Sequence, residues 1–154
     1  MIEIKTISSY EEWLNYKSTR EDHNTHKYIF QVSATWCKPC VALKPLLLDF
    51  LDLHKTKNEM DLSKNISFIM LDYDIYNEDS EFQQLFTIKK IPHFSFYFQD
   101  KSIINIETSK FEEIKEQIIN FINGVFRKLP ISGENNENNQ NNDNTNNFML
   151  SDDF

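Results

Sequence analysis

The chain has 154 residues, 40% of them hydrophobic, and a formal net charge of −8, which is enough chain for one packed core and too little for two. The acidic balance and the lack of interleaved basic and aromatic residues argue against a nucleic-acid-binding surface. Apolar runs of strand length exclude a helical membrane span. The polar N-terminus shows no signal-peptide run, so the expected location is cytoplasmic.

In chain order, Ile2 to Ile7 alternates and predicts a strand. Ser9-x-x-Glu12 is a capping box opening a short helix that carries Trp13 and Leu14. Residues 27–33, Lys-Tyr-Ile-Phe-Gln-Val-Ser, predict a buried strand. From Cys37 onward Val41, Leu43, Leu46, Leu47, Phe50 and Leu53 recur at helical spacing, so a helix is expected with Cys37 as its first residue. A strand over 66–72 follows. Ser80-x-x-Gln83 caps a short helix near 80–87. Residues 93–99 form a strand with Phe94, Phe96 and Phe98 on one face, Asp100-Lys101 is read as a hairpin turn, and 102–106 is its partner. Ser109-x-x-Glu112 caps a last helix whose apolar face is Phe111, Ile114, Ile118, Phe121, Ile122 and Val125. The order βαβαβαββα is an α/β fold, a mixed sheet with helices on both faces.

The two cysteines, Cys37 and Cys40, lie two residues apart in Trp36-Cys37-Lys38-Pro39-Cys40, where the strand turns into the helix. Unpaired N–H groups and the partial positive charge at a helix start favour a thiolate at Cys37. Lys38 adds a cation, and Pro39 sits in the first turn, where its missing N–H costs nothing. Cys40 is expected in a less exposed position, ready to resolve a mixed disulfide. A structural zinc would need about four ligands, and His23, His26, His54 and His93 show no paired ligand spacing. A structural disulfide closing so short a loop removes little unfolded-state entropy. The pattern therefore points to a redox dithiol with no metal.

These residues resemble the thioredoxin family, whose motif Trp-Cys-Gly-Pro-Cys is matched at all but Lys38. Pro45 falls where that family carries a helix-kinking proline. Ile91-Pro92 resembles its cis-proline, and Phe68 to Asp74 its central strand ending in Asp-x-Asp. The resemblance covers about residues 1–128 and implies a thioredoxin fold and a protein-disulfide reductase. Cys37 would be the nucleophile and Cys40 the resolving thiol, with Trp36, Ile91 and Pro92 docking an extended substrate chain. No cofactor is implied, and thioredoxin reductase would be the electron donor. Gln31 stands where the family often has a buried Asp, and Met70 where that Asp commonly has a charged partner, so a charge and its partner are absent together. His93 replaces a usual Thr, as an imidazole tuning the dithiol or a strand-start residue facing a helix. Two other functions fit the same residues: a binding adaptor with little turnover, or a disulfide oxidase or isomerase, for which Lys38 is the only support.

Beyond residue 128, residues 129–147 read as a disordered linker, since 134–147 holds nine Asn and no apolar residue. Apolar residues return in 148–154, Phe-Met-Leu-Ser-Asp-Asp-Phe. That heptapeptide resembles the C-terminus of ribonucleotide reductase small subunits, which implies docking on the large subunit through Phe148, Leu150, Asp153 and Phe154.

Overall fold

The structure is a computed structural model that describes residues 2–57 and 65–131, without the side chains of 54–57. The heptapeptide and most of the Asn-rich segment lie outside the described residues. Ten elements run in the order β1 (Ile2–Ile7), α1 (Tyr10–Ser18), β2 (Lys27–Ser33), α2 (Lys38–Lys57), β3 (Ile66–Asp72), α3 (Tyr73–Glu78), α4 (Ser80–Leu85), β4 (His93–Phe98), β5 (Lys101–Ile106) and α5 (Phe111–Ile122). The strands form one sheet in the order β1-β3-β2-β4-β5. β1 and β2 both pair parallel to β3, while β4 runs antiparallel to β2 and β5 antiparallel to β4.

Strand alternation sends successive side chains to opposite faces, and two cores result. On one face Ile29, Phe68, Phe94 and Phe96 pack with Leu43 and Leu47 of α2 and with Ile118 and Phe121 of α5. On the other, Tyr28, Phe30, Val32 and Tyr97 pack with Trp13 of α1, Tyr76 of α3 and Phe82 of α4. Trp13 is fully buried, with its ring edge-on to Tyr28, Phe30 and Tyr97 at 4.8–5.6 Å. Ile131 belongs to the first core, and the Leu129 N–H donates to Gln117 Oε1 at 2.9 Å. The packed region thus runs three residues past the expected boundary at 128.

Several local expectations are corrected. α3 was not anticipated: its N-cap is Asp72, whose carboxylate accepts from the Asp74 N–H at 2.8 Å, so the Asp-x-Asp pair is a helix start. Asp79 caps α4 by accepting from the Glu81 N–H at 2.9 Å, and Ser80 is already helical. α5 has Lys110 at its N-cap position without a side-chain cap. Instead Thr108 Oγ1 accepts from the Lys110 N–H and donates to Glu113, which displaces the Ser109–Glu112 box. The hairpin turn is Gln99-Asp100, with φ of 54° and 64°, one residue earlier than read, because the carboxylate of Asp100 is held there by Lys17 and His23. Val125 lies beyond α5, whose end is closed by Gly124 at φ 85° and by a Val125 N–H bond to the Asn120 carbonyl at 2.8 Å, a Schellman ending. Within α2, Leu43, Leu47 and Phe50 are buried, but Val41, Leu46 and Leu53 are exposed.

Candidate active site

β2 ends at Ser33, and buried Ala34 begins the turn into α2. The Cys37 N–H donates to the Ala34 carbonyl at 3.1 Å, and the Cys37 carbonyl accepts the first intrahelical bond, from Val41 N–H at 3.0 Å. Cys37 is therefore the residue that caps α2 and not its first helical residue. The Cys40 N–H, at the third helical position, points at Cys37 Sγ at 3.3 Å, the geometry of an N-cap side chain. The cysteines are joined as a disulfide with Cα atoms 5.3 Å apart. On reduction, a thiolate at Cys37 has a donor already aimed at it and the positive end of the helix behind it.

Cys37 and Cys40 are 7% and 3% exposed, so Cys40 is the deeper of the two. Ala34, Tyr73 and Ile91 pack around them. Trp36 is 62% exposed and meets Tyr73 edge-on at 6.2 Å. Lys38 and Pro39 are exposed. The Ile91-Pro92 bond is cis, and Ile91 reaches the cysteines from the loop before β4. Pro45 lies inside α2. Gln31 is buried, level with Met70 on β3 and Phe94 on β4.

His93 is buried as well, and its partners are Asn105 on β5 and Glu107 just past its end. Nδ1 lies 2.8 Å from Glu107 Oε2 and Nε2 lies 3.0 Å from Asn105 Oδ1, while the ring stacks on Phe86 at 5.5 Å. Burial would raise the Glu107 carboxyl, but hydrogen bonds from His93 and from the Lys89 N–H hold it below its ordinary value. His23 and His26 are committed at the opposite end of β2. His23 bonds Tyr28 and Asp100, and His26 bonds Asp22 and Ser67. Among the described residues no group of three or more His, Cys, Asp or Glu could hold a metal ion, and no helix is long and apolar enough to cross a membrane. Sequence reading missed Tyr73 and Glu107. Tyr73 is the middle residue of Asp72-Tyr73-Asp74, directly after β3, which placed it near the site, whereas nothing local marks Glu107.

The thioredoxin family model matches residues 9–123. The chain belongs to the thioredoxin family. It is 24% identical over 122 residues to thioredoxin H9 of Arabidopsis thaliana, covering 79% of this chain and 78% of that protein. Among solved structures, a poplar thioredoxin h superposes with a TM-score of 0.60 at 18% identity, over 77% of this chain and 96% of that one. The Malassezia sympodialis thioredoxin gives 0.58 at 20% identity, over 79% and 96%. The Nicotiana alata thioredoxin gives 0.56 at 21%, over 75% and 90%. The thioredoxin fold, family membership and the Cys37–Cys40 pair together make the chain a thiol-disulfide oxidoreductase.

Proposed function

We propose that this chain reduces protein disulfides. The Cys37 thiolate attacks a substrate disulfide, forms a mixed disulfide and expels one substrate thiolate. Cys40 then attacks Cys37 Sγ, releases the second substrate thiol and leaves the Cys37–Cys40 disulfide, so two electrons pass from dithiol to substrate. The observation that carries the reading is the Cys40 N–H aimed at Cys37 Sγ at the capped start of α2. Trp36, Ile91 and Pro92 form the docking surface. Gln31 offers no carboxylate, so the Cys40 proton leaves through water or another group.

The oxidised protein returns to the dithiol through an external donor, a thioredoxin reductase, in the cytoplasm. Phe148, Leu150, Asp153 and Phe154 dock the chain on a ribonucleotide reductase large subunit, and residues 132–147 are the tether to the folded domain, which packs through Ile131. Immobilised large subunit then retains the full chain, and free heptapeptide releases it. Equal retention of a chain lacking residues 148–154 removes the targeting role.

The test of the reductase reading is the turbidity of a disulfide-linked two-chain protein as it is reduced, together with trapping of mixed disulfides. Wild type accelerates precipitation, Cys37→Ser does not, and Cys40→Ser accumulates a substrate adduct. Equal rates for wild type and Cys37→Ser would leave the adaptor reading. A reduction potential near −120 mV, in place of about −200 to −270 mV, would make it an oxidant.

A further inference from the structure

Residues 86–92 join α4 to β4 without regular structure, yet they bring Ile91 against the dithiol, with the buried cis Pro92 next to it. Such a segment must satisfy its backbone polar groups outside a helix or ladder. Two side chains do so from opposite sides. From α3, the Tyr76 hydroxyl donates to the Phe86 carbonyl at 2.6 Å and accepts from the Ile88 N–H at 3.2 Å. From the end of β5, Glu107 Oε2 accepts from the Lys89 N–H at 2.8 Å, and the Lys90 N–H also bonds this carboxylate.

The two anchors are linked. Tyr76 stacks on Phe86 at 5.6 Å and Phe86 stacks on His93 at 5.5 Å. His93 Nδ1 meets the same Glu107 oxygen at 2.8 Å. An ionised carboxylate only accepts, so this nitrogen carries a proton and donates it. The segment is thus fixed on both sides of the proline: before it through Phe86, Ile88, Lys89 and Lys90, and after it through His93.

We propose that Tyr76 and Glu107 are positioning residues for substrate docking, holding residues 86–90 so that Ile91 and Pro92 present a fixed ledge beside the Cys37–Cys40 pair. This rests on the reading above that Ile91-Pro92 receives the substrate's extended chain. Neither side chain takes part in thiol exchange, so their loss should weaken the binding of a long substrate and spare the chemistry of a small one. A mere stabiliser of the fold would affect both substrates alike.

The experiment compares the full-length wild type, Glu107→Gln and Tyr76→Phe on a disulfide-linked protein and on dithiobis(nitrobenzoate), a small aromatic disulfide that needs no ledge. Each variant is expected to raise KM for the protein about tenfold with kcat nearly unchanged, the loss of one orienting hydrogen bond. Its rate on the small disulfide should stay within about twofold of wild type. By NMR, the Lys89 and Lys90 amide protons should titrate together with the low carboxyl of Glu107, and that titration should vanish in Glu107→Gln. If Glu107→Gln does not fold, Tyr76→Phe decides, with faster exchange of the Ile88 amide as its own signature. An unchanged ratio between the two substrates overturns the proposal, as do Lys89 and Lys90 amides indifferent to Glu107. A wild type inert on both disulfides refutes the reductase reading and the docking role with it, while the amide titration still decides whether Glu107 holds the segment.

Discussion

Placing a carboxylate at position 31 should make stability strongly dependent on pH. Gln31 is 2% exposed, and its neighbours across the sheet, Met70 and Phe94, offer no charge. An Asp there, ordinarily near 3.9, should be pushed up by about 3 units, which corresponds to ~4 kcal/mol. For an acid whose folded pKa is raised, no charge penalty exists below about pH 4, where both states are protonated. As pH rises from about 4 to about 7 the unfolded chain ionises first, so stability falls by ~1.4 kcal/mol per pH unit and then levels off. Lost volume adds about 1 kcal/mol independent of pH. Against a total stability of roughly 5–15 kcal/mol, Gln31→Asp should be measurably folded at pH 4.5 and near its threshold at pH 8. Met70→Lys places a cation beside the new carboxylate, so the double variant should recover about 1–3 kcal/mol relative to additivity. Urea titrations of the four proteins at the two pH values supply the cycle. A Gln31→Asp profile parallel to wild type would mean that water reaches position 31, and an additive cycle would mean that charges on the paired strands do not meet. Either result refutes the argument.

Three further outcomes are expected. Burial and Arg20 hold His26 below its ordinary value despite Asp22. The unfolded chain therefore binds a proton first as pH falls below about 6.5, stability drops until the folded value is passed, and His26→Gln should flatten that slope in acid denaturation curves. Ending the chain after Lys128 removes Leu129 and Ile131 and should cost about 2 kcal/mol and several degrees of Tm; ending it after Ser132 should leave the calorimetric transition in place. Lys38→Gly removes one exposed cation beside Cys37, worth about 0.5 kcal/mol or less, so redox titration against glutathione should find the couple more reducing by only ~10 mV.

The sequence made the strands legible because their periodicity records burial directly: Phe94, Phe96 and Phe98 on one side, His93, Ser95 and Tyr97 on the other. It made the dithiol legible because everything that shapes it, from Ala34 to Val41, is local. Helix starts were less legible. Thr108, Asp72 and Asp79 compete with Ser109 and Ser80 as short polar residues, and which one caps depends on where the preceding strand or helix lets go of the chain. Exposure along α2 could not be read either. Val41 and Leu46 are apolar at helical spacing, but they lie outside the narrow stripe that Leu43, Leu47 and Phe50 turn toward the sheet.

The two halves of the site are encoded differently, and this decides which substitutions should change chemistry and which should change recognition. Cys37, Lys38 and Cys40 lie within four residues of a capped helix start, so their electrostatics follow from a few adjacent residues and the helix behind them. The opposite wall depends on residues far apart in sequence: Ile91 from the loop, Tyr73 and Tyr76 from α3, Glu107 from the end of β5. Its geometry is set by two side-chain anchors, each replaceable without touching a sulfur. Substitutions near residue 37 should therefore shift the reduction potential for every substrate alike. Those at 76 and 107 should leave the potential in place and change which disulfides are reduced fastest.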